Sequence, residues 1–180
     1  MNRYSDLVDR TFLAEELLTK LIPQDILNRD LWRRIRDADD ATLADDKAIQ
    51  QPAIFALVRG GLLYALDDLD GCHAFFQDAP GDLGSYWHGM MHRREGDFDN
   101  ARYWFRRSGT LPFFDALHSR AAESSADLAK QLSWDPYLFT GLCEQARFGA
   151  EDERGTLPRV QRAEFEVLFD YCWRQAFLAA

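Results

Sequence analysis

Apolar residues recur every three to four positions over most of this chain, which is the spacing that places them on one face of a helix. Leu7, Phe12, Leu17, Leu18, Leu21 and Ile22 form a broad apolar stripe that Pro23 ends. A short helical segment over 26–35 follows, with Trp32 turned inward, and the Asp-rich stretch 37–46 reads as the first loop. An apolar helix is predicted over 48–66, with Pro52 tolerable in its first turn. Gly60 and Gly61 in its middle cost helix stability unless something packs closely against them. Pro80, Gly81 and Gly84 mark a loop over 78–84, followed by a short helix over 85–95. Gly96 suits a left-handed C-terminal position there, and Asp97 can cap the next helix, 98–107. A turn at Gly109 and Pro112 leads into a helix over 113–132 with Leu117, Ala121, Leu128 and Leu132 facing inward. Asp135-Pro136 opens a helix over 136–148, a polar loop covers 149–155, and the last helix, 157–177, is apolar enough all round to be central. Strand-like alternation is absent. The expected fold is all-α: an irregular helical bundle or a short array of antiparallel helical hairpins in a single domain, 1–180, with N-terminal helices and an acidic loop over 1–46 and a hairpin core over 47–180.

The chain also aligns with itself at an offset of 29 residues. Gly60, Cys72 and Phe76 match Gly89, Ala101 and Phe105, and Asp68-Leu69-Asp70 matches Asp97-Phe98-Asp99. A small residue on one helix admits the next helix, and a Phe one turn later fills the space beyond. These spacings resemble the tetratricopeptide or Sel1-like hairpin, although only two copies are visible and the usual Trp and Tyr positions are unmatched.

Composition narrows the class. The 180 residues are 47% hydrophobic and 13% aromatic, enough for a continuous core rich in rings. A net charge of −9 argues against partners that are nucleic acids or anionic membranes, because affinity for both comes from cationic side chains. Cys72, Cys143 and Cys172 form no C-x-x-C pair and are odd in number, so reduced thiols in a cytoplasmic protein are expected. Acidic residues among the first apolar positions argue against a secretory leader, and no apolar run reaches membrane-spanning length.

The polar residues are densest between Trp87 and Arg107. The segment Trp87-His88-Gly89-Met90-Met91-His92-Arg93-Arg94-Glu95, followed by Asn100-Ala101-Arg102-Tyr103-Trp104-Phe105-Arg106-Arg107, resembles an uncharacterised bacterial all-helical family with the pattern W-H-x-x-M-H-R-R-E … N-A-x-Y-W-F-R-R. Residues 67–73 and 168–176 also resemble it, with Gly96 standing where that pattern has Pro. The resemblance implies a helical fold and no particular activity.

On a helix, His88, His92 and Glu95 share one face, opposite Tyr86, Trp87, Met90 and Met91. Histidines at i and i+4 with a carboxylate at i+7 are the weak metal candidates of this chain, the favoured reading being a solvated or cross-helix hydrogen-bonded His pair. His73 and His118 stand alone in the sequence and are assigned no site, and no cofactor is expected. Arg94 projects from the apolar face. The simpler expectation is that it reaches water along its stem, the other that it pairs with Asp67, Asp68, Asp70, Glu166 or Asp170. The pairs Arg93-Arg94 and Arg106-Arg107 are arranged either to clamp an anion or to join a network with the chain's surplus carboxylates, the network being favoured. The candidate ligand- or partner-binding residues are therefore His88, His92, Arg93, Glu95 and Arg107. Two functions compete: first, a helical module binding a protein partner or a second copy of itself; second, a small-molecule-binding or metal-dependent enzyme with its site at 87–107.

Overall fold

The computed structural model describes residues 4–147 and 155–179. These form eleven helices and, among the described residues, no strand. None of the helices is long and apolar enough to cross a membrane.

Ser5 caps the first helix, α1 (Asp6–Phe12), through its hydroxyl and the Val8 amide. The apolar stripe from Leu7 to Ile22 is not one helix. Glu16 and Leu18 have φ of 61° and 58°, left-handed values that a continuous helix cannot contain. Burial of Leu17 and Leu18 offsets that strain. Asn28 caps α2 (Arg29–Asp37). The Asp-rich stretch read as a loop contains a further short helix, α3 (Asp40–Ala44), because Asp39 accepts a 2.8 Å bond from the Thr42 amide.

Two helical hairpins follow. The first joins α4 (Pro52–Ala65) to α5 (Leu69–Phe76), and the second joins α6 (Gly81–Glu95) to α7 (Phe98–Ser108). Asp68 and Asp97 begin the second helix of each, accepting bonds from the Gly71 and Asn100 amides at 2.9 and 3.2 Å. The α6 helix starts four residues earlier than the loop signal suggested: Gly81 takes the positive φ of 78°, and Gly84 is needed because a β-carbon there would meet Ala79 at 2.6 Å.

The glycines expected at helix contacts are there. A β-carbon on Gly89 would lie 2.8 Å from the Phe105 ring, and one on Gly60 would lie 2.5 Å from the ring of Phe76. The two hairpins thus use the same residue pair at the same spacing. Gly89→Leu is expected to destabilise the protein by about 1–3 kcal/mol through overpacking, visible as a lowered melting temperature. An unchanged melting temperature would mean that α6 and α7 do not pack as described.

The helix expected over 113–132 is divided into α8 (Phe114–Ala122) and α9 (Ala126–Ala129). Ser125 is extended and bonds the Leu128 amide with its hydroxyl, restarting the helix there. Leu117, Ala121 and Leu128 are buried as expected, but Leu132 lies beyond α9 and is fully exposed. The chain closes with α10 (Pro136–Arg147) and α11 (Thr156–Ala176). The polar loop expected at 149–155 falls almost wholly outside the described residues.

The core forms around α11, which packs on α4 and α8. Phe165, Phe169 and Trp173 on α11 meet Tyr4, Phe12, Tyr64 and Trp87 edge-on, tilted or stacked. Cys72, Cys143 and Cys172 are buried and join in no disulfide among the described residues. Burial pushes the Cys172 thiol up to about 12, so it is unreactive in the folded protein. The α5 helix packs on α6, and α10 on α7, so α6 and α7 lie between other helices and their polar residues face neighbours on several sides.

Candidate metal centre

Of the five sequence candidates, the structure brings His88, His92 and Glu95 together, turns Arg93 into the core, and leaves Arg107 on the outer side of a tryptophan.

His88 and His92 stand one turn apart on α6, and their rings stack with centroids 4.6 Å apart. Both are buried. A third ring joins them. His73, on α5, places its Nε2 3.0 Å from the Nε2 of His88. One ligating atom from each of His73, His88 and His92 lies within 4.8 Å of the other two, and no other group of three His, Cys, Asp or Glu side chains is close enough to share an ion among the described residues.

Glu95 does not point at the centre of this cluster. Its Oε2 accepts from the Nδ1 of His92 at 2.8 Å. That bond puts the ring proton of neutral His92 on Nδ1 and leaves the Nε2 lone pair free to accept. Asn100, in the first turn of α7, takes that place with its side-chain amide 3.1 Å from Nε2. The His88 ring also stacks on Trp104 of α7, with centroids 4.0 Å apart. Its Nδ1 is buried without a partner. Burial, followed by the adjacent rings of His92 and His73, lowers the His88 pKa to about 3. His88 is therefore uncharged at neutral pH, the state in which an imidazole offers a lone pair. His73, Asn100 and Trp104 are half-buried and Glu95 is exposed, so the cluster is closed on its α6 side and open toward Glu95 and Asn100.

Arg93 serves the fold. Its guanidinium is paired with Glu164 of α11 through both terminal nitrogens, and the two side chains are 1% and 0% exposed. Tyr86 donates to the same carboxylate at 2.7 Å, Trp134 donates to the Tyr86 hydroxyl at 2.6 Å, and the Phe139 ring lies 4.4 Å from the guanidinium. Arg94 is likewise buried, against the expectation that it would reach water. It pairs with Asp67 and donates to the carbonyls of Tyr64 and Lys20 at 2.8 and 3.2 Å. The two arginines thus sit in separate internal networks and form no joint anion clamp with Arg106 and Arg107. Arg102 pairs with Asp99 at 3.3 Å and also with Glu144. Arg107 lies 5.3 Å from the Trp104 ring and bonds the Tyr103 hydroxyl at 3.4 Å, one layer away from the histidines.

His73 is the residue that the sequence left out. Its neighbour Cys72 faces the core, so His73 lies about 100° further round the helix, on the side that meets α6. Only the packing of α5 on α6 brings that side to His88 and His92.

No family model, no curated protein and no solved structure matches this chain, so the chemistry of the cluster has to be argued from its own geometry.

Proposed function

We propose that this protein binds a divalent transition-metal ion of the zinc class through His73, His88 and His92. One observation carries the reading: three imidazole nitrogens from two adjacent helices converge within 4.8 Å. Two nitrogens on one zinc ion lie about 3.3 Å apart when each Zn–N bond is about 2.0 Å and the geometry is tetrahedral. The 3.0 Å separation of the His73 and His88 nitrogens is already close to that value, so small side-chain rotations complete the site. Imidazole suits zinc, copper, nickel and iron and disfavours calcium and magnesium.

Glu95 supports the same reading from the second layer. Ligating histidines usually donate their other ring N–H to a carboxylate, which fixes the tautomer and raises ligand basicity. His92 and Glu95 have that arrangement. Chelator-treated protein is expected to take up one zinc per chain in equilibrium dialysis. Glu95→Gln is expected to weaken zinc binding by about 10–100-fold while the fold stays intact. Protein that takes up no zinc, or whose affinity ignores Glu95, contradicts this role.

The other function expected from the sequence, a helical interaction module, draws on the hairpins of α4–α5 and α6–α7 alone. It has no residue-level support comparable to the convergence of the three rings.

A further inference from the structure

We infer that the metal site keeps one coordination position for an exchangeable ligand, a water molecule or a small oxygen- or nitrogen-donor anion, and that Asn100 holds that ligand. The inference rests on the metal-binding reading above and adds to it what the ion is for.

Structural zinc sites are closed by four protein ligands, whereas sites that exchange ligands keep three and leave the fourth to water or substrate. Three histidines converge here, and no fourth His, Cys, Asp or Glu joins them among the described residues. Glu95 is held at the Nδ1 of His92, which leaves Nε2 as the nitrogen of that ring with a lone pair to offer. His88 is walled by Trp104, so an incoming ligand has to approach from the half-buried side, where His73 and Asn100 stand.

Asn100 is placed for a second role on that side. Its side-chain amide donates to the Nε2 of His92 at 3.1 Å. A metal ion bound to His92 takes that lone pair, and the amide then loses its acceptor. Its N–H remains within about one hydrogen-bond length of the first coordination sphere, where it can donate to whatever occupies the remaining position. The same residue therefore satisfies the site when it is free of metal and selects the exogenous ligand when metal is bound. The helix does not need this side chain, because Asp97 caps α7 through the Asn100 backbone amide.

Cobalt(II) reports both layers at once, since its visible bands respond to coordination. Wild-type protein loaded with one cobalt per chain is expected to show bands that azide shifts saturably. Asn100→Ala is expected to keep the cobalt bands and to bind azide about tenfold more weakly, the loss of one hydrogen bond to a charged ligand. Cobalt bands that azide leaves unchanged would show a closed four-ligand site and overturn the inference. Equal azide affinity in wild type and Asn100→Ala would overturn the part assigned to Asn100. No cobalt band in the wild type would instead remove the metal-binding reading itself, and the inference with it.

Discussion

Glu164→Leu is expected to cost about 3–5 kcal/mol of stability, because it leaves the Arg93 guanidinium buried without its counter-charge. The Arg93–Glu164 pair is among the most buried ionic contacts of the fold, and Glu164 also accepts from Tyr86. Removing the carboxylate therefore orphans two donors, and Trp134 behind Tyr86 feels the change through the Tyr86 hydroxyl. For a domain of this size, the loss corresponds to a fall in melting temperature of roughly 6–20 °C. Arg93→Met combined with Glu164→Leu is expected to recover most of the loss, since a well-packed apolar pair of similar volume often replaces a buried ion pair at little cost. Thermal denaturation of the two single variants and the double variant gives the coupling directly. A Glu164→Leu protein within about 1 kcal/mol of wild type would show that this pair is not what holds α6 to α11.

Saturating zinc is expected to raise the stability of the wild-type protein by about 4 kcal/mol at a thousandfold excess over the dissociation constant, roughly 8–16 °C in melting temperature. His73→Ala and His92→Ala should each lose most of that rise. His73 is half-buried on α5, and its bond is to another histidine of the cluster, so its removal leaves the fold largely intact. Arg107→Ala should keep the full rise, because Arg107 stands behind Trp104 and not at the ion. A zinc response that survives in His73→Ala would place the ion elsewhere. A response lost in Arg107→Ala would return that residue to the site.

These two expectations separate residues that look alike in the sequence. Arg93 lies beside His92, and both stand in the same polar cluster. On α6, however, successive residues point about 100° apart, so His92 faces α5 and α7 while Arg93 faces α11 and Phe139. The periodicity made the all-helical fold legible, together with the faces of α6, the cap at Asp97, and the glycine contacts. Each of these is decided within a few residues of the chain. Glu164 and His73 were not legible, because each meets its partner across a helix interface whose pairing no local pattern specifies. The carboxylate of Glu164 is 71 residues from Arg93. The breaks in the predicted helices have a different origin. Ser125 and Leu18 end or redirect the chain because a side-chain hydrogen bond or tertiary burial outweighs helix propensity there.

The claim on which the functional reading stands is that three imidazoles from α5 and α6 hold one ion. X-ray absorption of the zinc-loaded protein measures it most directly. The expected spectrum has a first shell of nitrogen and oxygen at about 2.0–2.1 Å, with the outer-shell scattering of three imidazole rings, falling to two rings in His73→Ala. A shell without imidazole scattering, or a spectrum unchanged by His73→Ala, would contradict it.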